Sequence, residues 1–186
     1  MGFFEDNRRV IGIFNTIFIA IIIVFNLLLL SELPLISIIE SVAYIIALLF
    51  GLIYAIKGYQ KKSAKLYKTF MIMFYISSLI SLVVPILLGL NDEAANFTSI
   101  LITTVFNLVI VICSCILAIG KDLEKKFSMT LSYLILVSSL IKIVIAFVVA
   151  SPIQTICICV SNIYLACMLC AFVAIKYMDK ETRGTI

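Results

Sequence analysis

Lys142 and Glu40 are the two residues of this 186-residue chain whose type and position could do chemistry, because each sets an ionisable group inside a long apolar stretch. A charged side chain near mid-membrane costs at least about 2.5 kcal/mol and is kept where it meets a partner or a wet cavity. An ammonium in such a place can close an ion pair with a carboxylate, or it can hold an anionic group of a ligand. Asn26, Ser81, Asn107 and Asn162 add hydrogen-bonding groups from other apolar stretches. Lys142, Glu40, Asn107, Asn162, Asn26 and Ser81 are therefore the candidate ligand-binding residues, and two uses stay open for them. One is a Lys142–Glu40 pair that only orients helices, with Lys142 also able to snorkel toward the headgroups. The other is a polar cavity in which Lys142 meets an anionic solute and Glu40 and the asparagines complete the site.

Catalytic chemistry is not expected. The chain has no histidine, which removes the Ser-His schemes and the paired-histidine metalloprotease motif. Ser138 and Lys142 stand four residues apart, so a Ser-Lys dyad is geometrically possible, but serine is common throughout these stretches. There is no phosphate-binding glycine loop, so nucleotide hydrolysis is not expected of this chain itself. All six cysteines (Cys113, Cys115, Cys157, Cys159, Cys167 and Cys170) fall in the fourth and sixth apolar stretches. None is in a connection where an oxidising compartment would pair it, and Cys-x-Cys spacing sends the two sulfurs to different faces of a helix. They read as small packing residues, with Cys113 and Cys170 able to share a depth; no metal and no cofactor is expected.

The elements that must position these groups follow from composition. The chain is 64% apolar and 13% charged, with a mean hydropathy of +1.26. A hydrocarbon core of roughly 30 Å takes about 20 apolar residues per helical crossing. Six stretches meet that length, at about 10–30, 35–56, 66–90, 97–119, 128–150 and 153–176. The predicted fold is an all-α, polytopic membrane protein: a six-transmembrane-helix bundle forming one integral membrane domain over residues 1–186. The first stretch follows Arg8 and Arg9, but it is too long for a signal-peptide core and lacks a small-x-small cleavage site after it, so it reads as a retained helix. Gly2 does not read as a myristoylation site, because Asp6 stands where that motif takes Ser or Thr.

Charge sets the orientation. Apart from Lys142, every Lys and Arg falls at the N-terminus (Arg8, Arg9), between stretches two and three (Lys57, Lys61, Lys62, Lys65, Lys68), between four and five (Lys121, Lys125, Lys126), or in the tail (Lys176, Lys180, Arg183). The alternate connections carry only Glu32, Asp92 and Glu93 among charged residues. The positive-inside rule then puts both termini in the cytoplasm. The 57–68 cluster serves topology and contact with anionic headgroups, or else docks a cytoplasmic partner.

Helices in lipid associate through small residues and interhelical hydrogen bonds, so each should carry a small or polar stripe facing the bundle. Such stripes are Gly12, Thr16, Ala20 and Asn26; Ala43, Ala47, Gly51 and Ala55; Thr103, Asn107, Ser114 and Ala118; and Asn162, Ala166, Cys170 and Ala174. In the fifth stretch Ser128, Ser132, Ser139, Lys142 and Ala146 share a face opposite Leu134, Val137, Ile141, Val144 and Val148, so Lys142 should point inward. At 1.5 Å per residue, Lys142 lies roughly 12 Å below the outer end of its helix and Glu40 roughly 8 Å below the outer end of its own. Asn26, Asn107 and Asn162 fall in the same outer half. Ser81 and Pro85 bring the third helix into that layer, and Pro85 frees a backbone carbonyl there.

Displacing the chain by 61 residues lays Ile76–Ser81 over Val137–Lys142, with Lys142 falling on Ser81, and the even-numbered helices end in similar phrases (Ala55-Ile56-Lys57, Ala118-Ile119-Gly120-Lys121, Ala174-Ile175-Lys176). Three repeated hairpins in parallel orientation would produce this.

Size, helix number and an outer polar layer give the chain an architecture that resembles the substrate-binding subunits of energy-coupling-factor transporters, which are six-helix proteins of similar length served by a separate ATPase module. The resemblance covers architecture and not residue motifs. The expected function is binding or translocation of a small solute, an anion among the candidates, through a polar cavity in the outer half of the bundle. The alternative is a non-transporting accessory, immunity or partner subunit that uses its small-residue stripes to bind another membrane protein. Expected partners are the bilayer, a small solute and a membrane or cytoplasmic protein, with nothing pointing to nucleic acid. The Ile and Lys bias, with no Trp, suits an AT-rich genome and a bacterial inner membrane.

Overall fold

The computed structural model describes residues 8–29, 35–54, 64–91, 97–120, 123–148 and 153–183, which form six α-helices with no strand among them. These are α1 (Arg8–Leu29), α2 (Leu35–Ile53), α3 (Ala64–Asn91), α4 (Phe97–Ile119), α5 (Lys125–Val148) and α6 (Ile153–Arg183). Each matches one apolar stretch of the sequence. In hydrocarbon a backbone must satisfy its own polar groups, and for a single stretch only a helix does so. Lys65–Leu87, Ile100–Ile119, Lys125–Val148 and Thr155–Ala174 are long and apolar enough to cross a membrane, and the residues of α1 and α2 whose side chains are described include the apolar runs Thr16–Phe25 and Ser37–Ile53. The charged residues Glu32, Lys57, Lys61, Lys62, Asp92, Glu93 and Lys121 lie outside the described residues, as does Ala55 of the second stripe.

The helices are arranged around the bundle in chain order. α2 packs on α3, α3 on α4, α4 on α5 and α5 on α6; α6 returns to α2, and α1 lies against both α2 and α6. Side-chain pairs fix the directions. Tyr54, the residue after α2, meets Tyr67 of α3 and Phe172 of α6, with ring centroids 5.7 and 4.6 Å away. At the opposite end Ser81 of α3 is bonded by Asn107 of α4. Cys170 Sγ of α6 donates to the Ser132 carbonyl of α5 at 3.4 Å. Neighbours in sequence therefore run antiparallel, and the starts of α2, α4 and α6 share one end, called here the Glu40 end. Lys65, Lys68, Lys125 and Lys126 belong to the other.

The core has two layers. Toward the lysine-bearing end it is aromatic: Phe70 meets Phe172 edge-on at 5.2 Å and Phe74 at 6.4 Å, closing a cluster with Tyr54 and Tyr67. Gly51 lets α2 approach here, since a Cβ at that position would stand 2.9 Å from Met168 Cε and 3.1 Å from a Phe70 ring carbon. Toward the Glu40 end the core becomes polar. Outward faces are apolar instead: Leu134, Val137, Val144 and Val148 of α5 are exposed, as are Ile102, Val105, Leu108 and Ile112 of α4. Apolar surface of this extent is not left to water by a soluble monomer.

The stripe expected on α5 is buried throughout, from Ser128 and Ser132 through Ser139 and Lys142 to Ala146. Ala47, Gly51, Asn107, Ser114, Asn162 and Ala166 also face inward. In α1 the expectation fails at Ala20, which is exposed, while Thr16 is half-buried and Ile19 and Ile22 are buried. α1 sits at the periphery against the seam of α2 and α6, a position that large apolar side chains fill better than small ones. Gly12 and Asn26 lie in α1, but their surroundings are outside what the structure describes.

Candidate functional site

Pro85 organises the polar layer. It sits inside α3 and has no N–H, so the carbonyl four residues earlier, that of Ser81, loses its helical partner. Asn107 Nδ2 of α4 donates to that carbonyl at 2.6 Å. A sequence-local defect is thus repaired by a neighbouring helix, and the repair fixes α4 against α3 at the level of Ser81.

The Ser81 hydroxyl faces the other way around the bundle. Lys142 Nζ of α5 donates to it at 3.5 Å, the long end of the hydrogen-bond range. The Glu40 carboxyl group of α2 approaches the same hydroxyl and lies within the field of Lys142. Lys142 is 5% exposed and Glu40 6%, so both side chains are buried within the bundle. The arrangement is ammonium, hydroxyl, carboxyl, with Ser81 in the middle. An ammonium carries three N–H donors, and one long contact does not use them up. The interior position predicted for Lys142 is observed, and the outward snorkelling alternative is not.

Two further residues join the layer that sequence reasoning passed over. Tyr44, one turn from Glu40, approaches the Ser81 hydroxyl, and Cys159 of α6 lies close enough to sense both Lys142 and Glu40. Asn162 follows Cys159 by one turn on α6 and is buried. The structure therefore brings together Glu40, Ser81, Asn107 and Lys142, while Asn162 is placed only by its position one turn along α6 from Cys159.

The serines of the layer mostly satisfy themselves. Ser77 and Ser78 both donate to the Phe74 carbonyl at 2.8 Å, Ser139 to Ile135 at 2.8 Å, and Ser114 to Val111 at 3.0 Å. Such back-bonding leaves little for a ligand and lets helices pack closely. Under the 61-residue displacement Ser78 and Phe74 fall on Ser139 and Ile135, so the same bond recurs at matching places in α3 and α5.

Among the described residues two buried side-chain polar atoms have no hydrogen-bond partner, Tyr44 Oη and Asn162 Oδ1. Among the described residues no group of three or more Cys, Asp or Glu is placed to hold a metal. The cysteines there are all free, and Cys113 and Cys170 lie in the packed interior on either side of α5 rather than in a connection.

Helices this long and apolar, closed around a polar interior, define a multi-pass membrane protein. Compared with protein families, with curated proteins and with solved structures, the chain matches none.

Proposed function

We propose that this protein is a six-span integral membrane protein that binds or translocates a small solute, with Lys142 receiving an anionic group of that solute from the outer side. The observation that carries the reading is the Lys142 ammonium, buried in the polar layer with Ser81 as a long, weak partner. A side chain this costly to bury is kept where it has work to do. Glu40, Asn107, Asn162 and Ser81 complete the site, and Asn26 belongs to the same half of the bundle by its place in α1.

The same charge pattern supports the finer topology. Every described Lys other than Lys142 is at the end away from Glu40 or in the tail of α6, a pattern that supports cytoplasmic termini and an outward-facing Glu40 end. The recurrent serine bond of α3 and α5 supports repeated hairpins. A bacterial inner membrane is the membrane proposed. Lysines flanking α3 and α5 suit anionic headgroups or a cytoplasmic partner. A reading as an accessory subunit is less well supported, because Ala47, Gly51 and Ala166, the small residues it would use for a partner, are spent on packing within this bundle.

The test is solute binding by the purified protein with Lys142→Met, made together with Glu40→Gln so that no unpaired charge is buried. Loss of binding in a protein with an unchanged unfolding midpoint supports the reading; unchanged binding overturns it.

A further inference from the structure

The polar layer constrains the solute by two independent features, charge balance and unfilled hydrogen-bonding capacity. Lys142 and Glu40 supply one basic and one acidic group around a single hydroxyl. Together they are neutral whether the proton stays on the amine or passes to the carboxylate. A ligand with a net charge would leave that charge uncompensated in a low-dielectric interior, which is the expensive outcome. A ligand carrying one charge of each sign leaves the site neutral and offers a partner to each side chain.

The second feature is the pair of unpartnered atoms. Tyr44 is 1% exposed and Asn162 2%, yet Tyr44 Oη and Asn162 Oδ1 have no hydrogen bond. Both helices start at the Glu40 end, and side chains on a helix lean toward its N-terminus. Tyr44 and Asn162 therefore lean from one turn below toward the level of Glu40 and Cys159. Asn162 Oδ1 accepts only, so whatever completes it must donate; the Lys142 ammonium donates only, so whatever completes it must accept. An acceptor-only anion answers Lys142 and leaves Asn162 orphaned.

We infer that the solute is a small dipolar molecule bearing a carboxylate-like group and an ammonium-like donor, held with its acceptor at Lys142 and its donor toward Glu40 and Asn162 Oδ1. The inference rests on the solute-binding reading above and specifies its substrate class. Tyr44 Oη supplies a further hydrogen bond beside Ser81.

The experiment compares matched probes on the purified full chain in detergent: the zwitterions glycine, β-alanine and γ-aminobutyrate, the anions acetate, propionate and butyrate, and the cation methylammonium. Binding is read by equilibrium dialysis and by the shift in unfolding midpoint. At least one zwitterion is expected to bind about tenfold or more tightly than its matched anion, the difference one ordinary hydrogen bond makes. Tyr44→Phe removes only an unpartnered hydroxyl, so it should leave the ligand-free midpoint unchanged or higher and weaken zwitterion binding by roughly tenfold. Asn162→Leu should weaken the zwitterion and spare the anion; if that variant does not fold, Tyr44→Phe decides alone. An anion binding as tightly as its zwitterion, or Tyr44→Phe binding as wild type does, overturns the dipolar inference and leaves the solute-binding reading standing. Failure of every probe overturns both.

Discussion

Asn107 Nδ2 donates a 2.6 Å hydrogen bond to the carbonyl of Ser81, the carbonyl that Pro85 leaves without a helical partner. The bond is structural in origin, yet it fixes the residue whose hydroxyl meets Lys142 and Glu40. Substituting Asn107 with Leu should orphan a buried carbonyl and cost about 1–3 kcal/mol, read as denaturant-induced unfolding in detergent. In a Pro85→Ala background the amide N–H returns, and the same Asn107→Leu change should then cost much less. Equal costs in the two backgrounds would break the link between proline and asparagine.

Lys142 and Glu40 should behave as a unit. Lys142→Met alone leaves an acid buried without its cation and should destabilise by on the order of 3 kcal/mol. Adding Glu40→Gln should recover most of that loss. A double-mutant cycle measures the coupling, and additive effects would mean that the two groups do not interact across Ser81.

Gly51 is a contact position rather than a hinge, because its missing Cβ would fall 2.9 Å from Met168 Cε and 3.1 Å from the Phe70 ring. Gly51→Val should force α2 away from α3 and α6 and cost about 1–3 kcal/mol through overpacking. Met168→Ala should relieve part of that strain. No relief would locate the clash at Phe70, the neighbour that the aromatic cluster holds in place.

Orientation is checked by reporter fusions. Reporters that are active only in the cytoplasm should work at both ends of the chain, and one that is active only outside should work in the connection carrying Asp92 and Glu93. A reversed pattern would put Lys142 near the cytoplasmic surface and invert the proposed direction of solute entry.

Much of this bundle was legible before the structure. α5 was read correctly because its polar residues recur on a helical period against Ile, Leu and Val, so one face can be named without knowing the neighbours. The carbonyl freed by Pro85 was legible too, since it follows from the covalent structure of proline. What could not be read was azimuth between helices. Counting 1.5 Å per residue gives depth, but which side chains meet at one depth depends on how each helix is rotated. Depth counting therefore put Asn107 in the layer without revealing that its amide serves a backbone carbonyl. Tyr44 and Cys159 were missed for a related reason: a tyrosine or a cysteine in an apolar helix is ordinary, and only the approach of Ser81 and Lys142 gives these two a place in the site. Tyr44 did carry a signal, being one turn from Glu40 on the same face. Ala20 misled because a stripe of small residues implies a close neighbour, and α1 has its neighbours on another side.

The central claim is that Lys142 faces a place a solute can reach from outside, and accessibility measures this most directly. With the other five cysteines replaced, Cys159, which lies near Lys142 and Glu40 and is not one of the proposed ligand-binding residues, is treated in intact cells with a membrane-impermeant thiol reagent, with and without the zwitterion found to bind. Labelling from outside that the bound zwitterion slows is the result predicted. A thiol that stays unlabelled from outside, in a protein shown to be folded and inserted, would mean that Lys142 closes a sealed polar core and receives no solute.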